Sequence, residues 1–233
     1  ILSGVYVTEL KTNIGLLNGR IINISKLPYL DDVLLGNYFI GTMEVKRKSG
    51  KNDFVNVLFT FSDLKNHPML MNNGRFLIYG SLRTHCMYTG KRRQFFQAFY
   101  PEKIKEYDKQ NIKTSLIGKM VDRNNVIRLI GKIERKGRIR SVDSVKEKIN
   151  FLLKVQENNP KYSSTIPCIA WNENSEFIDM LDEGEQVLID GTIQSRTIKR
   201  LNYNNKKGRE VKTSIINEIS TIKISPMFDF NDN

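Results

Sequence analysis

The chain has 233 residues, 39% of them hydrophobic, and carries a formal charge of +12 with a pI near 9.6. Its length suits two domains of about 100 residues each rather than one large core. The charge calls for a polyanionic partner, and no apolar run approaches the ~18 residues of a membrane span, which leaves nucleic acid ahead of an acidic membrane surface.

In chain order, residues 1–12 form an extension holding one strand-like run, Gly4–Leu10, without a counterpart later in the chain. Ile1 opens the sequence with no signal-peptide pattern, as expected of a trimmed chain. A first strand is predicted over Leu16–Ser25, closed by Pro28, and a second over Val33–Lys48, where Gly41 suggests a bulge or bend. The turn Ser49-Gly50-Lys51-Asn52 leads into a third strand, Phe54–Phe61. Ser62 is the expected cap of a short helix that Pro68 limits to about one turn. Arg75–His85 and Gln94–Ile104 then form a hairpin around Gly90. Residues 105–123 are polar and poorly periodic, and read as a linker between a first domain at 13–104 and a second at 124–225.

The second domain repeats this order. Strands are predicted at Val126–Arg138, Lys148–Gln156 and Thr165–Trp171, and a helix follows, capped by Asn172 or Asn174, with Phe177, Ile178 and Leu181 on one face. Val187–Arg196 and Glu210–Ile224 make the last hairpin, with a long tip at Ile198–Gly208 and a loose tail at 226–233. The copies align by their punctuation: Asn13 lies six residues before Gly19, as Asn125 does before Gly131. The interval from the strand-ending aromatic to the next glycine is 13 residues in both, Phe61 to Gly74 and Trp171 to Gly184. Second glycines follow at Gly80 and Gly191. A recurrence near 110 residues is a duplicated small domain rather than a solenoid repeat. Five strands with one short helix between the third and fourth is the order of an OB-fold, so the expected class is all-β, two tandem five-stranded Greek-key barrels.

The residues carrying this pattern are Leu129-x-Gly131-Lys132-Ile133, Asn150–Val155, Cys168-Ile-Ala-Trp171, Glu176-Phe-Ile and Gly184–Ile193, with a weaker copy in Leu17–Ile21, Met43–Val45, Phe61 and Gly74–Thr84. Together they resemble bacterial single-stranded-DNA-binding proteins of the SSB type. The resemblance implies OB-folds that bind single strands with little sequence preference, in replication, recombination or repair. It also implies four OB units per assembly, hence a homodimer of this two-unit chain. It makes Phe61 and Trp171 base-stacking residues. This sequence departs from the family at the position seven past the fourth-strand glycine, usually aromatic and here Met87 or Ile198, and at the position six before the third-strand aromatic, often Trp and here Val55 or Thr165. Tyr88 and Tyr203 are the nearby substitutes. The family's long acidic tail is absent in recognisable form, with a faint echo in Phe228-Asp-Phe.

A single strand needs cations for its phosphates and flat faces for its bases. The cationic candidates are Lys46, Arg47 and Lys48 at a strand end; Arg83; Lys91, Arg92 and Arg93 on the first hairpin; Arg135 to Arg140; and Arg196, Lys199, Arg200, Lys206 and Lys207 on the second. Catalysis has little support: His85 and Cys86 are adjacent on a strand and so face opposite ways, no Cys/His spacing suits a metal, and no phosphate loop is present. The chain reads as no enzyme and as needing no cofactor. Cys86 and Cys168 read as reduced, buried residues of a cytoplasmic protein. Two alternatives remain open on sequence alone: an adaptor that uses its OB-folds to contact replication or recombination proteins, and an RNA-binding OB protein.

Overall fold

A computed structural model of the chain describes residues 12–26, 38–47, 49–89, 92–107, 125–143, 146–156, 163–204 and 208–227, with the backbone alone at 86–89, 92–95, 198–204 and 208–214. The Gly4–Leu10 run, most of the expected linker and residues 228–233 lie outside this set.

The first unit contains β1 (Asn13–Lys26), β2 (Tyr38–Lys46), β3 (Asn52–Thr60), α1 (Phe61–Asn66), a 3₁₀ turn at Pro68–Asn72, β4 (Arg75–Thr89) and β5 (Arg92–Glu106). The second contains β6 (Asn125–Lys136), a two-residue β7 (Arg140–Ser141), β8 (Glu147–Gln156), β9 (Ser163–Trp171), α2 (Glu173–Met180), β10 (Gln186–Asn204) and β11 (Gly208–Pro226). Strand neighbours run β2-β3-β5-β4-β1-β6-β10-β11-β9-β8-β7, and added β1–β2 and β6–β8 pairings close each half into a barrel. β3 pairs parallel with β5, and β9 with β11, as the OB topology requires.

Alternation builds each barrel. On β8, Ile149, Phe151, Leu153 and Val155 point inward, whereas Lys148, Asn150, Leu152 and Lys154 point outward. On β3, Val55, Val57 and Phe59 are inward in the same way. The two interiors merge into one apolar cluster that includes Leu17, Phe76 and Phe99 of the first unit and Leu129, Ile166 and Ile219 of the second. Within it the Cys168 thiol is buried, and desolvation pushes its pKa up.

β1 and β6 pair antiparallel across the units, with Gly15 opposite Ile127, Asn13 opposite Leu129 and Leu17 opposite Asn125. Asn13 and Asn125 are the repeat's equivalent residues, so this register is symmetric about the Gly15–Ile127 pair. Each asparagine is also buried and clamps its own fourth strand. Asn13 Nδ2 donates to Leu82 O (2.6 Å) while its Oδ1 accepts from Leu82 N (3.0 Å). Asn125 does the same with Ile193 O (2.6 Å) and N (2.9 Å). The glycine that follows each asparagine by six residues serves a close crossing: a Cβ on Gly19 would come within 2.3 Å of Glu44 O, and one on Gly131 within 2.6 Å of Lys154 O. Gly80 and Gly191 sit at register shifts in β4 and β10, where a Cβ would meet backbone oxygens at 1.8 and 2.7 Å.

The structure departs from the sequence expectations in several places. The register shift between β1 and β2 lies in β1, between Ile21 and Asn23, rather than at Gly41, whose missing side chain makes room for the Phe59 ring. Thr60, not Ser62, caps α1 through a capping box with Asp63. The Ile198–Gly208 segment is not a loop tip down to Asn204, because the β10–β11 ladder continues as far as Asn204 opposite Gly208. β5 likewise runs to Glu106, past the expected boundary. Residues 198–214 are rich in Lys, Arg and Asn, so they lack the apolar alternation by which strands are recognised.

Replacing Asn125 by Ala would leave Ile193 N and O buried without their partners. Urea unfolding should show a loss of about 2–4 kcal/mol, and an unchanged midpoint would contradict the clamp.

Candidate nucleic-acid interface

The strand registers place the sequence's candidates. Tyr38 pairs with Thr60 at the end of β3, and Lys148 pairs with Trp171 at the end of β9. Val57 opposite Phe99 corresponds to Cys168 opposite Ile219. Trp171 is therefore equivalent to Thr60, and the alignment of Trp171 with Phe61 is one residue out. The companion glycine shifts with it: Ile21 N donates to Gly74 O where Ile133 N donates to Glu185 O, so Gly184 corresponds to Asn73. Both hold left-handed backbones, with φ of 99° and 55°. The interval of 13 residues survives because both ends move together.

This register separates the two aromatic candidates. Trp171 closes β9 on the barrel's outer face, half-buried, with Lys148 Nζ 5.7 Å from its ring centroid. Phe61 is instead the first residue of α1 and is 67% exposed. The position six before the end of the third strand becomes Phe54 in the first unit, an aromatic hidden from the sequence alignment by the same one-residue error, and remains Thr165 in the second.

The outer face of the second barrel forms a groove of about 280 Å³, lined by Arg135, Lys136, Asn150, Leu152, Pro167, Arg196 and Glu218. Arg135 is exposed at the end of β6, across the groove from the base of the β10–β11 arm. Arg196 pairs with Glu218 at 3.2 Å yet keeps more than half of its side chain accessible. Leu152 and Pro167, opposite one another on β8 and β9, supply the apolar part of the lining. The combination of cations, a short apolar patch and a nearby indole suits phosphates and bases together. Asn150, Leu152 and Pro167 were missed by sequence reasoning; period-two alternation along β8 and β9 was the available signal.

Arg47 has a different position. Its Nε and Nη2 donate to Asp53 at 2.6 and 2.5 Å, and Nη2 also reaches Ser195 O of the second unit at 3.3 Å. Asp53 is 1% exposed, and accepts in addition from Ser195 N at 2.6 Å. These hydrogen bonds raise the Arg47 pKa above its usual value, against the opposing effect of burial. Arg47 thus belongs to a buried tie between the units rather than to a phosphate track. On the opposite side the tie is neutral: Thr84 N donates to Ser164 Oγ (3.3 Å) and Thr84 Oγ1 to Thr165 O (2.8 Å).

Of the other candidates, Lys46 is exposed at the end of β2, and the Arg83 guanidinium lies over the Tyr100 ring at 4.5 Å. Tyr88, Arg92 and Arg93 lie on the β4–β5 arm, with Tyr88 opposite Arg93 and Thr89 opposite Arg92. Lys199, Arg200 and Tyr203 lie on the β10–β11 arm, opposite Thr213, Lys212 and Arg209. Lys48, Lys91, Lys206 and Lys207 lie outside the described residues.

Arg47→Ala should therefore cost about 3 kcal/mol of stability in urea unfolding, because it strands a buried carboxylate. Arg135→Ala should leave the unfolding midpoint within about 0.5 kcal/mol and reduce the salt dependence of polyanion binding by about one phosphate contact. The reverse assignment of effects would overturn this division.

Residues 124–222 match the model of the single-strand binding protein family. Comparison with curated protein sequences finds no match. Among solved structures, the chain is similar to the wild-type single-stranded DNA binding protein from Thermus aquaticus, at 13% identity and a TM-score of 0.60, over 95% of this chain and 95% of that one. A deletion variant of the same Thermus protein gives 14% identity and a TM-score of 0.60, over 94% and 97% of the two chains. At such identities these likenesses establish the fold, two joined barrels along nearly the whole chain. The single-strand binding protein family model matches the second of these two units, less than half of the chain.

Proposed function

We propose that this protein binds single-stranded DNA through its two OB-folds, neutralising phosphates with lysine and arginine and stacking bases on exposed aromatic rings. The observation that carries this reading is the outer face of the second barrel, where Trp171, backed by Lys148, stands on the same surface as the groove of Arg135, Lys136 and Arg196. The net charge of +12 supplies the long-range attraction such a face needs. Contacts of this type read backbone and ring faces rather than base edges, so binding is tolerant of sequence.

The same reading makes the β4–β5 and β10–β11 arms, with Arg92, Arg93, Lys199 and Arg200, a further part of the cationic surface. It assigns the protein no reaction of its own and no cofactor, and places its work in the cytoplasm, in DNA replication, recombination or repair. Two barrels per chain are half of a four-unit assembly, and a homodimer would complete it. Sedimentation equilibrium should accordingly return twice the 27.0 kDa chain mass.

Trp171 is the chain's single tryptophan, so its fluorescence reports one locus. Titration with oligo-dT should quench it, and the affinity should fall steeply as salt rises from 50 to 200 mM, by on the order of 10³-fold if about six phosphates are contacted. Strong salt-dependent binding seen by anisotropy of a labelled strand, without quenching, would remove Trp171 from the site. An equal or greater affinity for oligo-U would move the reading to RNA, and no binding by either probe would overturn it.

A further inference from the structure

The outer face of the first barrel is built differently from that of the second, although the backbones correspond. At the cross-strand pair that ends the third strand, the second unit has Trp171 on β9 and Lys148 on β8, whereas the first has Thr60 on β3 and Tyr38 on β2. Each unit thus carries one ring at this pair, but on opposite strands. The Tyr38 ring packs edge-on to Tyr100 of β5, with centroids 6.1 Å apart. Tyr100 OH lies 2.7 Å from His85 Nε2, whose ring continues the row to Phe96 at 5.2 Å between centroids. The Arg83 guanidinium covers the Tyr100 ring at 4.5 Å. Beneath these rings, Leu58 and Ala98 form a small buried cluster separate from the main core.

A solvent-facing side of a sheet is ordinarily polar, and at three of these places the second unit is: the counterparts of Tyr38, Ala98 and Tyr100 are Lys148, Glu218 and Ser220. An aromatic row on that side needs an occupant. Tyr38 stands directly across the strand pair from the place of the second unit's indole, a cation is stacked within the row, and the chain as a whole is strongly basic. These features fit bases with phosphates alongside better than an apolar protein surface.

Resting on the single-strand reading above, we propose that Tyr38, held by Tyr100 and His85, is the first unit's base-stacking platform and takes the part that Trp171 plays in the second. A strand passing over both barrels would then meet a ring on β2 in one and on β9 in the other. The two units would contribute unequally: the first by stacking, the second by its cationic groove.

The test uses the full chain and labelled oligo-dT. Tyr38→Leu should weaken binding about tenfold, the scale of one lost stack, while the slope of log K against log salt stays as in the wild type, since no phosphate contact is removed. Tyr38→Trp in a Trp171→Phe background should restore affinity and place an indole whose fluorescence oligo-dT quenches. This second variant decides the matter by itself if Tyr38→Leu does not fold. An unquenched indole at position 38 in a chain that still binds would overturn the platform and leave the single-strand reading standing. A change of sedimentation mass with Tyr38→Leu, at unaltered affinity, would overturn it too, by making this face a contact between copies. If the wild-type chain itself fails to bind oligo-dT, the underlying reading fails and the platform with it.

Discussion

The antiparallel pairing of β1 with β6 is the interaction on which the rest of this molecule depends. It converts two small barrels, each with a limited core, into one sheet and one continuous apolar cluster. A lone barrel of about 100 residues would leave the outer edge of its first strand open, and an unpaired edge is a site for unwanted association. Here each copy of the repeat covers the edge of the other. The buried Asn13 and Asn125 sit at the ends of that pairing and tie it to β4 and β10, so that the joint between units and the closure of each barrel are parts of one hydrogen-bonded system.

Each unit also reaches over to the third strand of the other. Ser195 at the base of the β10–β11 arm meets Asp53 and Phe54, and Thr84 at the base of the β4–β5 arm meets Ser164 and Thr165. The backbone symmetry is therefore nearly complete, while the side chains on it have diverged. One tie contains a buried carboxylate and an arginine, and the other is built from hydroxyls. One outer face carries an aromatic row, and the other a cationic groove with a single indole. A duplicated domain can diverge in this way because the inward positions are constrained by packing, whereas the outward ones answer only to solvent and ligand.

Much of this was legible in the residues. Duplication and barrel class followed from glycine spacing and alternation, because a close backbone crossing admits only glycine and a barrel wall must alternate; the two-residue β7 was not foreseen. The one-residue error at Phe61 had a physical origin. Intervals between landmarks are unchanged when both landmarks shift together, and an aromatic at the first helical position looks in sequence like one at the last strand position. The capping pair Thr60 and Asp63 was the signal that could have separated them. Arg47 was misread for a related reason: a cation in a basic run gives no hint that a carboxylate six residues later folds back under it.

The sequence by itself determined the repeat and the two all-β units, since these depend on periodicity and on residues without side chains. Only the tertiary structure decided which cations are committed to carboxylates and which stay in the groove, how far the arms extend as paired strands, and that Tyr38 and Trp171 occupy opposite strands of equivalent pairs. Those outcomes depend on contacts between residues from six to more than a hundred positions apart. A period along the chain carries no information about which side chains meet across it.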